Sequence, residues 1–234
     1  MLRSIVFDFN GVLVDDEPLH LRLIQRVLAE EGVHPSEADL FETCTGVPDR
    51  AGLTAILQGH RRSSESDVAR LVARKATYYQ EAVRDQGYQY FDGALELVRQ
   101  AAAEGLTLGL VSGALREEVE QALLQGGVRE VFKAVVTSED VRDGKPSPEG
   151  YLRVIEQMNG TPPLPERLIH PHEVLAIEDS GAGVSAAITS GLVTLGVAHT
   201  FPMERLAEAD LVTRSLATLD IPRLQNMYAE ASRR

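Results

Sequence analysis

Apolar positions recur along this chain with two different periods, and the change between them divides it. Ser4 to Phe9 is a short run of β-branched and aromatic residues leading into acid and glycine, the pattern of a buried strand. From Glu17 the period becomes helical. Leu19, Leu23, Ile24, Val27 and Leu28 fall three and four residues apart, with Pro18 in the first turn and Gly32 at the stop. Ser36 and Asp49 are placed to cap two further short helices, the second carrying Leu53, Ile56 and Leu57 on one side. Polar residues from Gly59 to Asp67 read as a loop, and Val68, Leu71, Val72, Lys75, Tyr79 and Val83 predict a longer helix. Residues 17 to about 88 thus carry helical patterns and no strand pattern.

Beyond Tyr90 helix and strand patterns alternate, as in a parallel sheet covered by helices on both faces. Asp92 is expected to cap a helix ending near Gly105. Strands are predicted at Leu106–Val111, Ala134–Thr137, Val174–Glu178 and Leu192–Val197, with helices around Val119–Leu123 and over Glu149–Met158 and Gly183–Ser190. Gly144-Lys145-Pro146-Ser147-Pro148 reads as a loop and Thr161–His172 as an irregular connection, with short elements after Pro202 and a last helix from about Ile221. The expected fold is α/β, a three-layer Rossmann-like parallel sheet core with an inserted all-helical cap domain. The core takes residues 1–15 and 90–234 and the cap residues 16–89. The insertion leaves and returns just beyond Asp8, where it can cover a crevice.

Composition narrows the partners. With 234 residues, 44% hydrophobic and 25% charged, the chain can bury one full core plus a smaller domain. No apolar run approaches the ~20 residues that span a bilayer, and no basic-then-apolar leader opens the sequence, so a cytoplasmic protein with no membrane partner is expected. Cys44 stands alone and reads as a buried thiol in a reducing compartment. A net charge of −12 argues against nucleic acid, and a phosphorylated ligand would need local cations, either a metal or a few placed bases. Lys75, Lys133 and Lys145 are the lysines available. None of these patterns specifies an oligomeric state.

Ligands of open α/β sheets bind beyond the carboxyl ends of the strands, and polar groups gather there in this sequence. Asp8, Ser112, Lys145, Glu178 and Asp179 stand at or just past predicted strand ends, and Gly11 and Gly113 let backbone approach a ligand closely. Singly, each has an ordinary reading: Asp8 and Asn10 begin a turn, Ser112-Gly113 is another, Lys145 is solvated, and Glu178-Asp179-Ser180 caps a helix. Together, three carboxylates, a hydroxyl and an ammonium at one sheet edge are costly to bury without a purpose. Phosphoryl transfer supplies one, with Asp8 as nucleophile, a divalent cation on hard oxygens, and Ser112 and Lys145 holding phosphate. Gly181-x-Gly183-x-x-Ala186 also fits a dinucleotide fingerprint. It does not follow the first strand, however, and Glu178 and Asp179 would repel a pyrophosphate.

Asp8 to His20, Asp-Phe-Asn-Gly-Val-Leu-Val-Asp-Asp-Glu-Pro-Leu-His, resembles the first motif of the haloacid dehalogenase superfamily, in its branch of small-molecule phosphatases and β-phosphoglucomutase. Asn10 and Asp16 depart from that motif. Ser112, Gly144-Lys145-Pro146-Ser147-Pro148 and Glu178-Asp179-Ser180-Gly181-Ala182-Gly183 follow in the superfamily's order, so the resemblance covers nearly the whole chain. It implies that Asp8 is nucleophile and metal ligand, that the Asn10 carbonyl, Glu178 and Asp179 complete a Mg²⁺ site, and that Ser112 and Lys145 hold phosphate. Thr45 to Arg50 resembles the substrate-facing loop of the cap, which makes Gly46 and Arg50 candidate substrate contacts. His20 and Lys75 are further candidates, against a packed or capping histidine and a solvated lysine. The implied activity is a Mg²⁺-dependent phosphatase acting on a small phosphorylated metabolite, a sugar phosphate being expected, through an aspartyl-phosphate on Asp8. A hexose-phosphate mutase of the β-phosphoglucomutase type is the alternative.

Asn10 limits that implication. In the superfamily an acid at this position protonates the leaving group and later activates water; an amide keeps the backbone carbonyl but transfers no proton, a loss worth ~10² to 10⁴ in rate. Four accounts stand: a substitution that traps a complex, substrates with good leaving groups, another acid such as Asp16 in its place, or a phosphosugar-binding protein with weakened catalysis. Branches that cleave carbon–phosphorus bonds also lack this acid but need a cap lysine, for which Lys75 is the sole candidate.

Overall fold

The computed structural model describes residues 1–59 and 64–233; residues 60–63, inside the expected Gly59–Asp67 loop, lie outside the described residues. In chain order the elements are β1 (Ser4–Phe7), α1 (Glu17–Glu30), α2 (Glu37–Cys44), α3 (Asp49–Gly59), α4 (Glu65–Gln86), α5 (Ala94–Ala103), β2 (Thr107–Val111), α6 (Arg116–Gln125), β3 (Phe132–Val136), α7 (Glu149–Gly160), β4 (Val174–Glu178), α8 (Gly181–Thr189), β5 (Val193–Val197), β6 (Leu211–Thr213) and α9 (Ile221–Ala231). They form two compact units, Met1–Asp15 with Gln89–Arg234, and Asp16–Tyr88. None of the described helices is long and apolar enough to cross a membrane.

The first unit is a six-stranded parallel sheet in the order β3-β2-β1-β4-β5-β6. Its central strand β1 is buried along its whole length, which explains the continuous apolar run of a strand covered on both faces. Pleating sends Val6 and Ala176 to one face, into a core with Tyr151, Val154 and Met158 of α7 and Ala186 and Ala187 of α8. Gly109 lies level with Val6, and a side-chain carbon there would meet Val154 Cγ2 at 2.8 Å, so α7 rides close on the sheet. Chain order reverses at β1, with β2 and β3 on one side and β4 to β6 on the other. The carboxyl ends of β1 and β4 therefore flank the topological switch point.

The second unit holds α1 to α4 around Ile24, Val27, Leu28, Leu40, Leu53, Leu57, Val68 and Leu71. Each fully buried leucine or isoleucine contributes roughly 1.5–3 kcal/mol. Ser36 and Ser64 cap α2 and α4, their hydroxyls accepting the Asp39 and Asp67 N–H groups.

Three expectations need correction. Asp92 does not cap α5; Gly93 does, at φ 81°, where a side-chain carbon would lie 2.4 Å from Ala217 Cα, so a close approach rather than a carboxylate sets that start. Asp49 is the first residue of α3 rather than its cap, and its carboxylate turns to Lys75. The edge strand β6 was not expected, because three half-buried residues carry too little alternation to read as a strand.

Candidate active site

Register brings the site together. Phe7 pairs with Leu110 on one side and Ile177 on the other, and the Asp8 N–H donates to the Ile177 carbonyl at 3.0 Å. Asp8 and Glu178 thus leave adjacent strands at the same level. Lys145, from the loop before α7, bridges them: its Nζ is 2.6 Å from Asp8 Oδ1 and 2.6 Å from Glu178 Oε1, and donates to the Val111 carbonyl at 3.3 Å. The lysine read from sequence as loop-borne is therefore held at three strand ends, with its side chain one-sixth exposed (16%).

Asp179 completes the acidic group. Carboxylate oxygens of Asp8, Glu178 and Asp179 lie within 4.8 Å of one another, and all three residues are buried. Two glycines make that crowding possible. A side-chain carbon at Gly11, whose φ is +77°, would sit 1.8 Å from Asp179 Oδ2, and one at Gly183 would sit 1.9 Å from Glu178 Oε2. Gly183 also donates its N–H to the Ser180 hydroxyl that caps α8.

Burial, reinforced by Asp8 and Asp179, pushes the Glu178 carboxyl above its usual range in spite of Lys145. Burial works against the Lys145 charge, but Asp8 and then Glu178 more than offset it and hold the ammonium above the ordinary lysine value. The Tyr151 hydroxyl donates to Glu178 Oε1. Burial first, then Glu178, raises the Tyr151 pKa well above the usual phenol, which keeps that donor protonated. Tyr151 is a site residue that the sequence reading missed, since a tyrosine in an apolar helical stripe looks like core.

Three buried carboxylates facing one ammonium leave excess negative charge in a confined space. Hard oxygens at that separation fit a divalent cation such as Mg²⁺, and Asp8, Glu178 and Asp179 are the groups that would hold it.

Ser112 is buried at the end of β2, where its N–H donates to the Val136 carbonyl at 2.9 Å and its hydroxyl accepts the Ala114 N–H at 2.9 Å. Gly113 follows it, exposed and with open space where a side chain would be. Asn10 is half-buried in a tight turn in which Gly11 N–H donates to the Val14 carbonyl at 3.0 Å.

The remaining candidates belong to the helical unit. Lys75 is buried, not solvated; it pairs with Asp49 at 2.8 Å and contacts His20 Nδ1. His20 Nε2 lies 3.1 Å from Asp16 Oδ2, the Tyr79 hydroxyl donates to the same oxygen at 2.7 Å, and the His20 and Tyr79 rings stack at 4.7 Å. Burial and the Lys75 charge oppose protonation of His20, but the Asp16 hydrogen bond together with the Asp16 and Asp49 charges more than offsets them, raising the imidazole above its usual value. The signal for this cluster was present, because Val68, Leu71, Lys75 and Tyr79 share one buried helical stripe. Gly46 is exposed at φ 68° beside buried Thr45, and Arg50 is exposed with a 3.7 Å contact to Glu65.

Residues 5–197 match the family model described as haloacid dehalogenase-like hydrolase. The chain belongs to that family. Its α/β sheet core with an inserted helical unit is the family's fold. Validoxylamine A 7′-phosphate phosphatase of Streptomyces hygroscopicus subsp. limoneus is 29% identical over 228 residues, covering 96% of this chain and 99% of the relative. The phosphorylated carbohydrates phosphatase of Thermotoga maritima is 29% identical over 201 residues, covering 85% of this chain and 86% of the relative. A crystal structure of β-phosphoglucomutase from Clostridium difficile aligns over 100% of both chains with a TM-score of 0.83 at 22% identity, a likeness of fold.

Proposed function

We propose that this haloacid dehalogenase-like hydrolase is a phosphatase that removes phosphate from a small phosphorylated carbohydrate, with Asp8 as nucleophile. The observation that carries the proposal is the sharing of Lys145 between Asp8 and Glu178 at the switch point of the sheet, with Asp179 beside them. Two relatives that match most of the chain are named as phosphatases, one of phosphorylated carbohydrates and one of validoxylamine A 7′-phosphate.

A Mg²⁺ ion held by Asp8, Glu178, Asp179 and the Asn10 carbonyl would neutralise charge on the phosphoryl oxygens. The other steps belong to the chain. Lys145 orients the Asp8 carboxylate and places a fixed positive charge beside the incoming phosphate. The Asp8 oxygen attacks phosphorus as the ester P–O bond breaks, giving an aspartyl-phosphate and a leaving oxygen that must gain one proton. Water then cleaves the acyl phosphate, returning the carboxylate and releasing inorganic phosphate. The Asn10 amide neither gives the leaving oxygen a proton in the first step nor takes one from the attacking water in the second. The amide therefore favours substrates whose leaving groups depart as stable anions, such as acyl or anomeric phosphates.

The test is phosphate release from a panel of sugar, alkyl and acyl phosphates, with Mg²⁺ and with EDTA. The proposal expects release that needs Mg²⁺ and disappears in Asp8→Ala. Release that persists in Asp8→Ala would overturn the assignment of the nucleophile.

A further inference from the structure

The turn after Asp8 is pinned from outside by a pair of rings that the proposed chemistry does not use. Gly11 at φ +77° is its most conformationally free residue, and two of its peptide planes have identifiable anchors. The plane between Asn10 and Gly11 is fixed by the Gly11 N–H donating to Val14. The following plane is fixed by a side chain remote in sequence: His199 Nδ1 lies 3.0 Å from the Gly11 carbonyl oxygen. A carbonyl only accepts, so this nitrogen carries the proton.

The His199 ring stacks on Phe91, with centroids 3.9 Å apart and planes 19° from parallel. Phe91 in turn donates its own N–H to the Leu13 carbonyl at 3.1 Å. The stacked pair therefore holds both limbs of the turn. Thr200, the next residue, closes the third side, its Oγ1 only 2.8 Å from where a side-chain carbon at Gly11 would be. Burial lowers the His199 pKa, against the Gly11 hydrogen bond and Asp15, so the ring stays neutral near pH 7 and keeps a single donor on Nδ1.

We infer that His199 is a positioning residue: by donating Nδ1–H to Gly11 while stacked on Phe91, it fixes the turn that would offer the Asn10 carbonyl to the proposed metal site. Glycine was required here because any side chain would strike Asp179, and the freedom that glycine brings has to be removed by another group. A stacked imidazole does so because packing fixes its ring plane before the bond forms.

The experiment compares His199→Phe, which keeps the stack and removes the donor, with His199→Asn, whose amide nitrogen can take the place of Nδ1. Amide exchange over residues 11 to 14 is read by mass spectrometry, and Mg²⁺ affinity by calorimetry on the full chain. His199→Phe is expected to speed exchange in the turn and to weaken Mg²⁺ binding about 10-fold or more, the usual cost of losing a group that orients a ligand-bearing segment, with His199→Asn recovering most of both. Unchanged exchange in folded His199→Phe, or equal loss in the two variants, would overturn the inference. The exchange readout depends neither on the phosphatase reading nor on the proposed metal site, whereas the Mg²⁺ affinity depends on that site. A failure of one is therefore separable from a failure of the other.

Discussion

Glu178 and Gly183 share one volume: a side-chain carbon on residue 183 would lie 1.9 Å from Glu178 Oε2 and 2.4 Å from Oε1. Alanine is ordinarily preferred to glycine in a helix by about 1 kcal/mol. At this position overpacking, at roughly 1–3 kcal/mol, should outweigh that gain and displace the carboxylate. Gly183→Ala is expected to lose Mg²⁺ affinity and phosphate release while remaining folded, whereas Gly59→Ala, with no described atom within 4 Å of the added carbon, should keep the parent's Mg²⁺ affinity and phosphate release. Calorimetry with Mg²⁺ and a thermal melt check both. Full Mg²⁺ affinity in Gly183→Ala would remove Glu178 from the proposed metal site.

Asn10→Asp should restore a proton donor two residues from the nucleophile. Hydrolysis of alkyl phosphates is expected to rise by ~10²-fold or more, and that of acyl phosphates by much less, because the acid helps only where charge develops on a poor leaving group. Turnover of one substrate of each kind, in the parent and the variant, decides it. No phosphate from either protein would favour a binding role, and equal acceleration of both substrates would show that residue 10 does something else.

Lys145 touches two buried carboxylates and a carbonyl. Removing one member of a buried ionic cluster costs about 3–5 kcal/mol when the rest stays uncompensated. Lys145→Met should therefore lower stability in EDTA, abolish phosphate release, and gain more melting temperature from millimolar Mg²⁺ than the parent does. Equal Mg²⁺ stabilisation of the two proteins would mean that Lys145 and the cation do not share these acids.

Glu173 offers a test of the sheet unit far from the chemistry. Arg167, ahead of the His170 N–H and Arg3, holds its carboxyl down at about 2. A depressed carboxyl contributes stability that is present above the unfolded value near 4.5 and is lost as pH falls through about 2. Arg167 is more than half exposed, so screening reduces the contribution to about 1 kcal/mol or less. Urea melts of Glu173→Gln should show that deficit at pH 7 and converge with the parent toward pH 2; a constant deficit across that range would sink the account.

What the sequence disclosed depended on where the signal lay. Strands β1 and β4 are runs of apolar residues interrupted by acid at one end, and that interruption marks the edge of the sheet, so Asp8, Glu178 and Asp179 could be read directly. Lys145 could be named but not placed, because nothing local says that its loop reaches Val111. Tyr151 and the Phe91–His199 pair carried no local mark at all, since their partners lie 27 and 108 or more residues away: Tyr151 meets Glu178, and His199, 188 residues from Gly11, meets Phe91. The start of α5 was misread for a similar reason, its glycine being demanded by Ala217 in another segment.

The central position of β1 has a consequence for folding. Ser4 pairs with Thr107 on one side and Val174 on the other, so the first strand waits for partners synthesised roughly 100 and 170 residues later. Closing loops of that length costs entropy before any contact repays it. Asp8 acquires its acidic neighbours only after that closure. A partly folded chain, however much helix it contains, should therefore hold no fraction of the activity, and catalytic competence should report the docking of segments that lie far apart along the sequence.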